Sequence, residues 1–166
     1  MAMTSNTGRG MTAVERDEFL TSGAIFAKIA TTTADGWPVV SPVWFDWLAQ
    51  DRALLVVSKE HTTMVQNLRR DPRCGLLVDN PTTPYKRVSM QGEVEFLPED
   101  FDWITPARGM AERYLGQTGI AYAESTFGFP RVPFLAHARK MTTWNGGGFD
   151  RTFTATTNWH DVSASI

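Results

Sequence analysis

The sequence predicts a mainly β domain of the α+β class, a small antiparallel barrel of about six strands with a few flanking helices. Three observations carry that prediction. Apolar or alternating runs at Ala24–Thr33, Trp37–Leu48, Leu54–Val57, Leu76–Val78, Tyr85–Leu97, Val132–Ala138 and Met141–Trp144 are joined by short, turn-rich connections. Helical patterns are few and do not alternate with the strands, which excludes a doubly wound sheet. In the run Trp37–Leu48 both alternate faces are apolar, Val39, Val43 and Phe45 on one and Val40 and Trp44 on the other, as a strand covered on two sides requires.

Taken in order, Thr12-Ala13-Val14-Glu15 fits a capping box and opens a helix over 12–22 that Gly23 stops. Ala34-Asp35-Gly36 joins the first two strands as a hairpin. Pro42 has no N–H to donate, so the second strand is expected to be interrupted there or to lie at an edge. Gln50-Asp51-Arg52 turns the chain into the apolar run ending near Ser58, after which Thr62 or Thr63 caps a short helix that Asp71-Pro72 ends. Asn80–Pro84 is a loop, and Gly92 inside the long fifth strand marks a bulge or a close backbone approach. Pro106–Leu115 reads as a helix ended by Gly116; 116–130 gives no readable pattern; Val132–Ala138 and Met141–Trp144 read as two closing strands. The expected organisation is a flexible N-terminus over 1–11, one domain over 12–145, and a C-terminal tail over 146–166 that opens on Gly146–Gly148.

At 166 residues the chain suffices for one domain with a real core. A net charge of -2 gives no reason to expect nucleic acid or an anionic membrane as partner. Cys74 is the only cysteine, so no internal disulfide forms, and together with the lack of a membrane-length apolar run the expected location is cytoplasmic. His61, His137 and His160 are dispersed and show no zinc-ligand spacing. The glycines lack the dinucleotide fingerprint and the serines lack a nucleophile elbow.

The stretch Val56–Asp79 is where function gathers. Ser58, Lys59, Thr62, Thr63 and the amino end of the helix converge at one strand end, a combination suited to an anion such as a phosphate. Arg69, Arg70 and Arg73 are expected on an exposed face, because Val65 and Leu68 claim the inward one.

The strings DGWPVVSPVWF at Asp35–Phe45, NLRRDPR at Asn67–Arg73, QGEVEF at Gln91–Phe96 and MTTW at Met141–Trp144, in this order, resemble the split-barrel flavin oxidoreductases related to pyridoxamine 5'-phosphate oxidase. NLRRDPR is closest to the branch that uses FMN or the deazaflavin coenzyme F-420. The resemblance implies a split β-barrel and a homodimer with cofactors in grooves between subunits. It also implies an oxidoreductase passing hydride to or from a small organic substrate. The implied cofactor contacts are Ser41, Pro42, Val43 and Trp44, the strand end Val57, Ser58 and Lys59, and the turn Thr62, Thr63 and Met64. Trp144 would approach from the partner subunit. No catalytic residue and no metal site is implied. The chain departs from the pattern at the phosphate grip, where related sequences carry Arg-x-Lys-x-Arg and this one has Thr62, Met64 and Gln66. Two readings therefore stand: the oxidoreductase, and a binding module for another small molecule, haem included, or a cofactor-free dimer.

Overall fold

The computed structural model describes residues 9–82 and 84–146. The expected lead before Arg9 and most of the expected tail, with Gly147, Gly148, Phe153, Trp159 and His160, lie outside the described residues. Helix α1 (Ala13–Thr21) starts on the capping box read from the sequence: the Glu15 amide donates to the Thr12 hydroxyl at 3.2 Å, and the Thr12 amide to the Glu15 carboxylate at 2.8 Å. Arg9–Met11, placed with the flexible N-terminus from sequence, is tied down instead. Arg9 bridges Asn145 through both backbone groups, and the Met11 amide donates to the Thr143 hydroxyl at 2.8 Å. A three-residue segment has no periodicity of its own, so only its distant partner could reveal this order.

Among the described residues seven strands, one more than about six, make a single antiparallel sheet: β1 (Ala27–Thr32), β2 (Pro38–Val43), β3 (Asp46–Leu48), β4 (Ala53–Lys59), β5 (Arg73–Asp79), β6 (Lys86–Phe96) and β7 (Arg131–Asn145). Their order is β2-β1-β5-β6-β7-β4-β3. The two edge strands, β2 and β3, are consecutive in the chain and separated only by Trp44 and Phe45. The three Cα–Cα steps from Val43 to Asp46 span no more than about 11 Å, so the sheet must curl until its edges nearly meet, which makes the split half-barrel. The single run expected over Trp37–Leu48 is thus divided at the point of closure, and Pro42 sits in an edge strand, where its missing N–H costs nothing. The two closing strands expected near the C-terminus are one. Gln91 pairs with Lys140 and Gly92 with Ala138, so Arg139 is the extra residue of a bulge and the ladder resumes beyond it. Gly92 is required there: a Cβ would stand 3.2 Å from the His137 carbonyl carbon and closer still to its oxygen.

Inside the curl lies one apolar core, with Ile29, Leu54, Val56, Val78, Val88 and Phe134 fully buried. Helix α2 (Thr63–Arg70), capped by Thr62, inserts Met64, Val65 and Leu68 into it. Asn67 lies on the same face and donates to the Thr31 hydroxyl at 3.1 Å, which satisfies two buried polar groups at once. The arginines of this stretch stay outside as expected, Arg69 on Glu60 at 3.0 Å and Arg73 on Asp71 at 2.7 Å. Cys74 is buried, and loss of hydration pushes its thiol up to about 11.

Helices α3 (Ile104–Leu115) and α4 (Gln117–Ser125) form a hairpin turned at Gly116 (φ 69°). Asp102 accepts from the first amides of α3, so this helix begins two residues before Pro106. α4 occupies the segment that had no readable pattern. It packs against α3 through Gly119, where a Cβ would lie 2.7 Å from the Ala111 carbonyl carbon. No helix among the described residues is long and apolar enough to cross a membrane.

Candidate functional site

The hairpin of α3 and α4 is fastened over the place where β2 ends and β4 runs out. Arg113 donates to Asp46 at 2.8 Å and to the Phe45 carbonyl, and its guanidinium lies 5.0 Å from the Tyr114 ring centre. Burial raises the Asp46 carboxyl above its ordinary value even though Arg113 pulls it down. The Tyr114 hydroxyl donates to the Ile25 carbonyl at 2.8 Å, and its ring stacks on Trp44 at 5.1 Å with 5° between planes. Trp44 is thereby held as a rigid panel.

Beneath this roof is a cavity of about 300 Å³. Pro42, Val43 and Trp44 from the end of β2 form one wall, and Val56, Val57, Ser58 and Lys59 from β4, with Thr62, form another. The helices contribute Trp103, Ala107, Met110, Tyr122 and Ala123, and β7 contributes Arg131. The lining is apolar and aromatic toward the helices, and polar at the β4 end. There Ser58 Oγ stands 3.5 Å from Thr62 Oγ1, which already accepts from the Val65 amide at 3.2 Å. The Thr62 hydroxyl thus has its own proton and one lone pair left for Ser58 or a ligand. The Lys59 ammonium lies 5.6 Å from the Phe129 ring centre, and no carboxylate pairs with it among the described residues.

Of the residues expected from the sequence, the structure brings Pro42, Val43, Trp44, Val57, Ser58, Lys59 and Thr62 to this one cavity. Four others stand apart. Ser41 pairs with Ile29 within the sheet, and Thr63, the first residue of α2, is exposed. Met64 is a core residue at 5% exposure, because the α2 face that carries it is the face that fills the barrel. Trp144 lies at the other end of β7 from Arg131, opposite Arg87.

Arg131 and the aromatic roof are absent from the sequence reading. Arg131 is the first residue of β7 and pairs across the ladder with Lys59. A terminal guanidinium nitrogen donates to the Thr126 hydroxyl at 2.7 Å, while its Nε is buried with no hydrogen-bond partner. Burial pushes its pKa below the ordinary arginine value. Only the register between two strands more than seventy residues apart in sequence makes these cations neighbours. Among the described residues no cluster of His, Cys, Asp and Glu could hold a metal ion.

The family model described as pyridoxamine 5'-phosphate oxidase matches residues 15–145. None of the curated proteins matches the sequence. Solved structures of similar fold include a FAD-binding protein from Mesorhizobium loti, with TM-score 0.61 and 22% identity over 85% of this chain and 98% of that one. An F-420 reductase aligns with TM-score 0.56 and 23% identity over 75% of this chain and 94% of that one. A heme storage protein from Vibrio cholerae aligns with TM-score 0.61 and 17% identity over 81% of this chain and 95% of that one. At these identities the likeness is one of fold.

Proposed function

This chain belongs to the pyridoxamine 5'-phosphate oxidase family, and from that premise we propose that it is an oxidoreductase holding FMN or coenzyme F-420 in the cavity under α3 and α4. The observation that carries the reading is the composition of that cavity. A single space joins aromatic walls suited to a flat ring, Trp44 and Trp103, to a cationic, hydroxyl-bearing end suited to a phosphate, Ser58, Lys59 and Thr62. Such a cofactor supplies hydride transfer to or from a small organic substrate. The protein's share is to hold and to orient. Lys59 and the two hydroxyls grip the anionic end, Trp44 and its Tyr114 backing fix the ring plane, and the helical roof keeps water out.

At about 300 Å³ the space within one chain is at the low end for ligand pockets, which run from about 300 to 1,000 Å³. A homodimer in which a second copy completes the groove belongs to the proposal. Phe26, Tyr122 and Phe129 support it, since they stay 45%, 56% and 58% exposed around the cavity, and so does the outward Trp37–Val40 edge at 70% and 62%. Trp144, 40% exposed, is available to a partner's groove. Haem is the weaker fit, because among the described residues no histidine or cysteine lines the cavity, which leaves Met110 and Tyr122 as its candidate iron ligands.

The test is an absorption spectrum of protein purified without added cofactor, then titration with FMN and with F-420 followed by tryptophan fluorescence. A flavin-type spectrum or micromolar binding with quenching of Trp44 and Trp103 is expected. A Soret band, or binding of neither cofactor, overturns the reading in favour of a non-catalytic binding module.

A further inference from the structure

Lys59 and Arg131 face each other across the β4–β7 ladder, and both side chains line the cavity. Like charges directly opposite on neighbouring strands are destabilising, and no acidic side chain pairs with either among the described residues. Arg131 has one hydroxyl partner, Thr126, and its Nε, like that of Arg113, is buried without a partner; unlike Arg113, it has no carboxylate among the described residues. Two cations set opposite each other on one cavity wall with no carboxylate between them repel, and an anion seated between them would remove that cost.

We propose that Arg131 and Lys59 form a two-cation clamp for the terminal phosphate of a bound phosphomonoester, standing in for the basic trio that Thr62, Met64 and Gln66 cannot supply. The proposal rests on the cofactor reading above and deepens it. A phosphomonoester carries about 1.5 to 2 negative charges at neutral pH, which two cations balance. Arg131 offers the terminal nitrogens of its guanidinium, Lys59 a point charge, and the neighbouring Ser58 and Thr62 hydroxyls complete the polar end. Trp44 and Trp103 then receive the uncharged, planar part. Met64 need not reach the phosphate, and its place in the core ceases to be a contradiction.

The experiment compares FMN with riboflavin, which differ by the phosphate alone, on the wild-type protein, Arg131→Met and Arg131→Lys. Binding is read by tryptophan fluorescence, and melting temperature with and without inorganic phosphate at fixed ionic strength. Expected for Arg131→Met is an FMN affinity weaker by about ten- to a hundredfold, the value of one charge-assisted hydrogen bond, with riboflavin unchanged. Arg131→Lys should recover part of the loss. Equal affinity of the wild-type protein for FMN and riboflavin, or equal weakening of both by Arg131→Met, overturns the clamp. If neither flavin binds, the FMN arm of the cofactor reading has failed, and the phosphate arm decides the clamp alone. A rise in wild-type melting temperature with phosphate that Arg131→Met abolishes upholds the clamp, and no rise overturns it.

Discussion

Replacing Gly119 with alanine tests whether the helical roof is held where the cavity needs it. The added Cβ would sit 2.7 Å from the Ala111 carbonyl carbon, 2.9 Å from Leu115 Cβ, and nearer still to the Ala111 oxygen. Ordinary carbon–carbon contacts lie at about 3.5–4.0 Å, so α4 must retreat from α3 by about 1 Å. The obstructing atoms are mainly backbone and cannot rotate away, which puts the strain near the upper end of the usual overpacking cost, about 3 kcal/mol. Alanine's better helix propensity returns about 1 kcal/mol. The net loss is about 2 kcal/mol. For a domain of this size that lowers the melting temperature by about 4–8 °C. Because α4 carries Tyr122, Ala123 and Thr126 over the cavity, cofactor affinity should fall with it. Thermal unfolding followed by circular dichroism, beside the fluorescence titration, reads both effects. A variant that melts at or above the wild-type temperature refutes the close packing of α3 on α4.

Further outcomes follow from the buried groups. Asn67→Ala should cost about 1–3 kcal/mol in denaturant unfolding, because it leaves the buried Thr31 hydroxyl without its partner. Met64→Lys should leave little folded protein, since it places a charge among Val65, Leu68 and the barrel core. Gln66→Arg, on the exposed face of the same helix, should melt within about 1 °C of wild type. Cys74 has its pKa raised from 9.0 to about 11, so at pH 8 its thiolate fraction is about a hundredfold below that of a free thiol. Iodoacetamide should label it slowly in the native protein and quickly in urea. This raised pKa favours the native state below pH 9, and that contribution is lost as the pH climbs toward 11.

Local chemistry was legible in the chain because its signals are short-range. The Thr12–Glu15 box, the Thr62 cap, the glycine bulge at Gly92 and the closing stop at Gly116 each depend on residues a few positions apart. The anion-suited corner Ser58–Thr62 was legible for the same reason, and with the quoted strings it placed the chain in its fold. Where the sequence misled, a distant partner had decided the matter. Arg9–Met11 is ordered by β7, Trp37–Leu48 is split by barrel closure, and Met64 is turned inward by the apolar face of α2.

Amphipathic period, caps and turn residues determined by themselves that this would be a small antiparallel barrel with a polar, hydroxyl-rich strand end. Strand register and helix docking determined the rest. They set Arg131 opposite Lys59, laid α3 and α4 over Trp44, and so converted an exposed strand end into a cavity. The reason is physical: hydrogen-bonded ladders and packed side chains couple residues by distance in space, and no pattern along the chain encodes which of many possible registers leaves two cations face to face.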